Sequence, residues 1–126
     1  MKHDSSIAKV LREIGEILLS RKQFKEAENN FSEALAIYRN LDEKKPGAFS
    51  SDIELCLRRL ADYYGLTGHY EKAEAELLEA LTICQKFVQD TPELNQSITA
   101  IMNSLADLRN KSVNMPMQKK SGKKRK

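Results

Sequence analysis

One pattern of residues occurs twice in this chain and another occurs three times. Phe24-x-x-Ala27-x-x-x-Phe31-x-x-Ala34-Leu35 returns 46 residues later as Tyr70-x-x-Ala73-x-x-x-Leu77-x-x-Ala80-Leu81. Interleaved with it, Leu11-x-x-Ile14-Gly15-x-x-Leu18 returns as Leu57-x-x-Leu60-Ala61-x-x-Tyr64 and as Met102-x-x-Leu105-Ala106-x-x-Arg109, at intervals of 46 and 45 residues. A repeat of that period constrains the fold more than any single motif. Each copy must be one supersecondary unit too small to hide its own apolar face, so neighbouring copies must stack.

Within each copy the apolar residues recur at spacings of three and four, the period of an α-helix packed on one side. Five helices are expected. The first spans about residues 6–22, with Ile7, Val10, Leu11, Ile14 and Leu18 on its packing stripe, and the second about 24–42, with Phe24 to Leu41. After Pro46-Gly47, Ser51 and Glu54 have the spacing of a capping box, opening a third helix with Ile53, Leu57, Leu60, Ala61 and Tyr64 inward. Gly65 and Gly68 bracket a turn before a fourth helix from Tyr70, and Thr91-Pro92 opens a fifth through Leu94, Ile98, Ile101, Met102, Leu105 and Leu108. No stretch alternates apolar and polar residues long enough to make a strand. Small residues such as Gly15, Ala27, Ala34, Ala61, Ala73 and Ala80 fall where two antiparallel helices must approach closely.

At 126 residues and 14.4 kDa there is room for one small domain. No apolar run approaches the ~20 residues that cross a bilayer, and charges interrupt the first 20 residues, unlike a secretory signal. The chain is therefore expected inside a cell, in the cytoplasm. Cys56 and Cys84 form no Cys-x-x-Cys pair and read as small core residues. Charge is divided unevenly. Residues 110–126 hold Lys111, Lys119, Lys120, Lys123, Lys124, Arg125 and Lys126 and no acid, so the part before them, which carries all 18 acids, is net acidic.

The repeated pairs resemble the tetratricopeptide repeat family, whose signature joins a Leu-Gly-x-x-Tyr helix to an Ala-x-x-x-Phe-x-x-Ala helix. The resemblance covers residues 6–109, with a period longer than the usual one and with Leu11, Leu57 and Met102 in the place of the signature Trp. The long period is similar to the kinesin light chain type and to bacterial arrays. The resemblance implies an all-α superhelix, a solenoid of two helix hairpins plus a fifth capping helix. Its repeats would occupy about residues 6–49 and 50–91, with a partial one at 92–109, followed by a disordered basic tail at 110–126.

No catalytic constellation is visible. His3 lies near the amino terminus and His69 in a turn, and no His-x-x-x-His, Gly-x-x-x-x-Gly-Lys or Gly-x-Ser-x-Gly pattern occurs. Acids such as Glu26, Glu28, Glu71, Glu74, Glu76 and Glu79 read as solvated helix faces. The chain is expected to be no enzyme and to use no cofactor or metal. Binding is the better prospect, because stacked hairpins line a concave face with the first helix of each pair. The resemblance places Lys9, Arg12, Glu16, Arg58, Arg59, Asp62, Asn103 and Asp107 there as candidate contacts to a peptide or partner helix. Arg12 and Arg58 are one period apart, as are Glu16, Asp62 and Asp107. Such rows could grip a peptide, or Arg12–Glu16 and Arg58–Asp62 could simply pair with each other. Some relatives clamp a peptide carboxylate with Lys and Asn, and Glu16 and Asp62 stand where Asn is wanted, which speaks against that use.

The tail offers an alternative function. Lys119, Lys120, Lys123, Lys124, Arg125 and Lys126 would attract nucleic acid or another anionic surface without reading sequence, and Lys123-Lys124-Arg125-Lys126 resembles a nuclear import signal if the host is eukaryotic. Self-association through an open end, at the first or the fifth helix, is the third possibility.

Overall fold

The computed structural model describes residues 2–113. Among them are five α-helices and no strand: α1 Lys2–Ser20, α2 Phe24–Lys44, α3 Ser50–Leu66, α4 Tyr70–Phe87 and α5 Leu94–Val113. Each helix packs on its neighbours in sequence, α1 also touches α3, and α3 touches α5. The fold is thus two hairpins, α1–α2 and α3–α4, with α5 laid over α4. The odd-numbered helices line one side of the array. Because α2 and α4 approach each other less closely, the array bends toward that odd-numbered side.

Close approach within the hairpins depends on the repeated small residues. A Cβ on Gly15 would lie 2.7 Å from Cε1 of Phe31, whose ring is wholly buried. One period later Ala61 replaces Gly15 and the smaller Leu77 replaces Phe31, and both are buried in the same core. The turns inside the hairpins repeat as well. Gln23 N–H donates to the Leu18 carbonyl at 2.9 Å, and His69 N–H to the Tyr64 carbonyl at 2.8 Å. This is the helix-ending pattern that needs one residue in the left-handed region. Gly68 fills that place with φ 83°, and Lys22 fills it with φ 64°.

Several boundaries differ from the sequence expectation. α1 begins at Lys2 and takes in His3, ahead of residue 6, while Gly65 lies inside α3 and not in the turn. Ser51 and Glu54 form no capping box. Phe49 is the cap residue of α3, without a side-chain bond, because Asp42 supplies the local acceptor instead: its carboxylate takes the N–H groups of Gly47 and Phe49 at 3.1 and 3.0 Å. Thr91-Pro92 leads into α5 through tight turns, Leu94 N–H to the Thr91 carbonyl and Asn95 N–H to the Pro92 carbonyl, so the α-helix proper starts at Leu94. It continues past Arg109 to Val113.

The largest departure is on α1. Its buried face is Ala8 and Gly15 with Leu11, Leu18 and Leu19 beside them. Ile7, Val10 and Ile14, expected on the packing stripe, are instead 50%, 51% and 41% exposed, because no helix of the chain lies against that side of α1. Met102 of α5 is likewise exposed, since its place in the repeat faces a second helix that α5 does not have.

Candidate functional site

On the odd-numbered side of the array, α1, α3 and α5 enclose a groove of about 550 Å³. Its floor is apolar, with Leu19, Leu66, Leu77 and Leu108 among its lining, and its charged rim carries Glu16, Arg59, Asp62, Asp107 and Lys111. Four of the eight residues expected on the concave face, Glu16, Arg59, Asp62 and Asp107, are brought together here. Lys9, Arg12, Arg58 and Asn103 lie outside it.

Arg59 organises the rim. It donates from Nε to Glu16 Oε2 at 2.9 Å and from Nη1 to Asp62 Oδ2 at 3.1 Å, tying α3 to α1. Glu16 Oε2 also accepts from Arg12 Nη1 at 2.7 Å. Desolvation by the groove walls pushes the Asp62 carboxyl above its ordinary value, against the pull of Arg59, although half of the side chain still faces water. Asp107, by contrast, forms no ion pair with another described residue. The rim therefore has one carboxylate pair already engaged by guanidinium groups and one carboxylate still available to a ligand's cation.

The two arginines expected to form a row turn away from the groove. Arg12 is 12% exposed, and its Nε is buried without a hydrogen-bond partner. Arg58 pairs with Glu54, not Asp62, through Nε to Oε1 at 2.8 Å. Glu54 itself is 3% exposed and also accepts from Ser97 Oγ of α5 at 2.8 Å. A buried carboxylate held by an arginine and a hydroxyl fixes neighbouring helices in register, so Arg58 is committed to the fold. Glu28, expected as a solvated acid, accepts from both Tyr63 and Tyr64 and joins α2 to α3. Arg39 and Glu79, 2.6 Å apart, link α2 to α4 on the outer side.

Missed from sequence were the residues one turn after the acid row: Ser20, Leu66 and Lys111 follow Glu16, Asp62 and Asp107 by four positions, and all line the groove. The i, i+4 rule was the signal that could have found them. His69 is exposed in its turn, with Nδ1 2.9 Å from Thr67 Oγ1. Among the described residues no group of His, Cys, Asp or Glu could hold a metal ion, and no helix is long and apolar enough to cross a membrane. Cys56 and Cys84 are fully buried in the core. The tail candidates Lys119, Lys120, Lys123, Lys124, Arg125 and Lys126 lie outside the described residues.

Comparison with known proteins matches a family model, tetratricopeptide repeat, to residues 6–86, and it distinguishes no subtype within that family. No curated protein and no solved structure matches the chain.

Proposed function

The chain belongs to the tetratricopeptide repeat family, and from that premise we propose that it is a non-catalytic protein-binding module that holds an extended peptide or a partner helix in the groove between α1, α3 and α5. The family's repeats generally mediate contacts between proteins. The observation that supports the groove as the contact surface is its composition: an apolar floor beneath a rim that keeps Asp107 free while Arg59 is shared by Glu16 and Asp62. A ligand would place an apolar side chain over Leu66 and Leu108 and a Lys or Arg against Asp107, giving one charge-assisted contact that fixes its register.

A displayed peptide library panned against the full chain tests this reading. Enriched peptides should combine an apolar residue with a nearby cation, and Asp107→Lys should weaken them by roughly tenfold or more, as expected for a charge pair replaced by like charges. Peptides that bind Asp107→Lys and Asp62→Lys as tightly as the parent would place the contact elsewhere and overturn the proposal.

A further inference from the structure

The exposed side of α1 is an apolar stripe in which Ile7, Val10, Ile14 and Ile17 are each 41% to 53% exposed. The repeat shows what this face is built to do. Adding one period to Ile7, Val10 and Ile14 gives Ile53, Cys56 and Leu60, which α3 buries to 6%, 0% and 4% in its packing against α2. A further period gives Ile101 and Leu105, which α5 buries against α4. The stripe on α1 is thus the third instance of an interface that the chain forms twice, with its covering helix missing.

We infer that this face is covered by α1 of a second copy of the chain, in an antiparallel two-fold dimer. Three observations favour this occupant. The other faces of a second copy do not match: the corresponding open side of α5 carries Thr99, Met102, Ala106 and Arg109, and the outer sides of α2 and α4 are rich in charges such as Glu33, Lys72 and Lys86. The stripe's spacing of three, four and three is that of an a/d seam, which pairs with its own like and places β-branched residues at every core position. Finally, the flanking charges complement one another. At 100° and 1.5 Å per residue, an antiparallel pair centred on the level of Arg12 sets Ile7 opposite Ile17 of the second copy and Val10 opposite Ile14. On the same flank it brings Lys9 to the level of Glu13 of the second copy, and the two-fold repeats the contact. Lys9 and Glu13 are both exposed, and neither is in an ion pair with another described residue.

Only one helix face is covered, less than the ~800 Å² per partner of a durable interface, so the dimer forms reversibly. Sedimentation of the full chain should show a mass rising from 14.4 kDa toward twice that value, over a concentration range of roughly 10 μM to 1 mM. Ile14→Glu should abolish the rise with unchanged helix content and thermal midpoint, because Ile14 already meets water in the single chain. Lys9→Glu should weaken the dimer by about fivefold, and adding Glu13→Lys should restore it. A parent chain that stays monomeric throughout, or an Ile14→Glu chain that still dimerises, overturns the inference. So does dimerisation that Met102→Glu abolishes, or a Lys9 and Glu13 exchange that fails to rescue.

Discussion

Gly15 and Phe31 are a matched pair, and so are Ala61 and Leu77, which replace them one period later. The larger ring requires the smaller helix residue. Gly15→Ala should therefore destabilise the fold by about 1–2 kcal/mol: overpacking costs about 1–3 kcal/mol, and the improved helix propensity offsets up to about 1 kcal/mol of it. Adding Phe31→Leu should recover much of that loss, whereas Gly65→Ala, whose Cβ would meet only Leu108 Cδ1 at 3.9 Å, should stabilise. Urea unfolding of the four variants measures the coupling, and independent effects at Gly15 and Phe31 would refute the pairing. Lys22, at φ 64° where the second repeat uses Gly68 at φ 83°, carries a backbone strain that glycine would not. Lys22→Gly should raise stability by about 0.5–1 kcal/mol in the same assay. These pairings were legible in the chain as aligned letters, but their direction was not: Gly15 alone does not say which side chain fills the space it leaves.

Helix identity was legible and helix ends were less so, for a physical reason. Periodicity reports which residues face a neighbour, while a boundary depends on who satisfies the terminal amides. At α3 that group is Asp42, a residue of the preceding helix, so a local Ser-x-x-Glu pattern misled, and Glu54 was free to become a buried tie to Arg58 and Ser97. Contacts between elements also set a pH response. Tyr64, which donates to Glu28 across the α2–α3 seam, is pushed up to about 12 by burial and then by Glu28, and burial with Asp52 nearby takes Tyr38 to about 12. Burial raises Cys84 to about 11 and Cys56 to about 12. Above the ordinary values of 9.0 for thiols and 10.0 for phenols, the unfolded chain releases protons that the folded chain keeps. Stabilisation is thus whole below pH 9 and is lost as pH climbs toward 11 to 12. The urea midpoint should hold between about pH 7 and 8.5 and fall steeply by about pH 10.5; a flat profile over that upper range would contradict these burials.

For the molecule as a whole, the repeat announced both the all-α array and the helices that line its concave side. Half of the expected contact residues do meet in the groove. The others failed because a single helix has more than one partner face: Arg12 and Arg58 sit one turn before the acid row and were drawn to neighbouring helices, while Lys9 and Asn103 fall outside the groove. No pattern within one helix could reveal that choice, since it is made by the curvature of the stack. The same curvature leaves α1 and α5 with opposite characters, oily at one extremity and hydrophilic at the other. A head that adheres only to another head cannot be extended by a tail that adheres to nothing, so growth stops at two molecules. The chain is thereby protected from polymerising into fibres, a hazard of any stackable repeat whose two extremities fit each other.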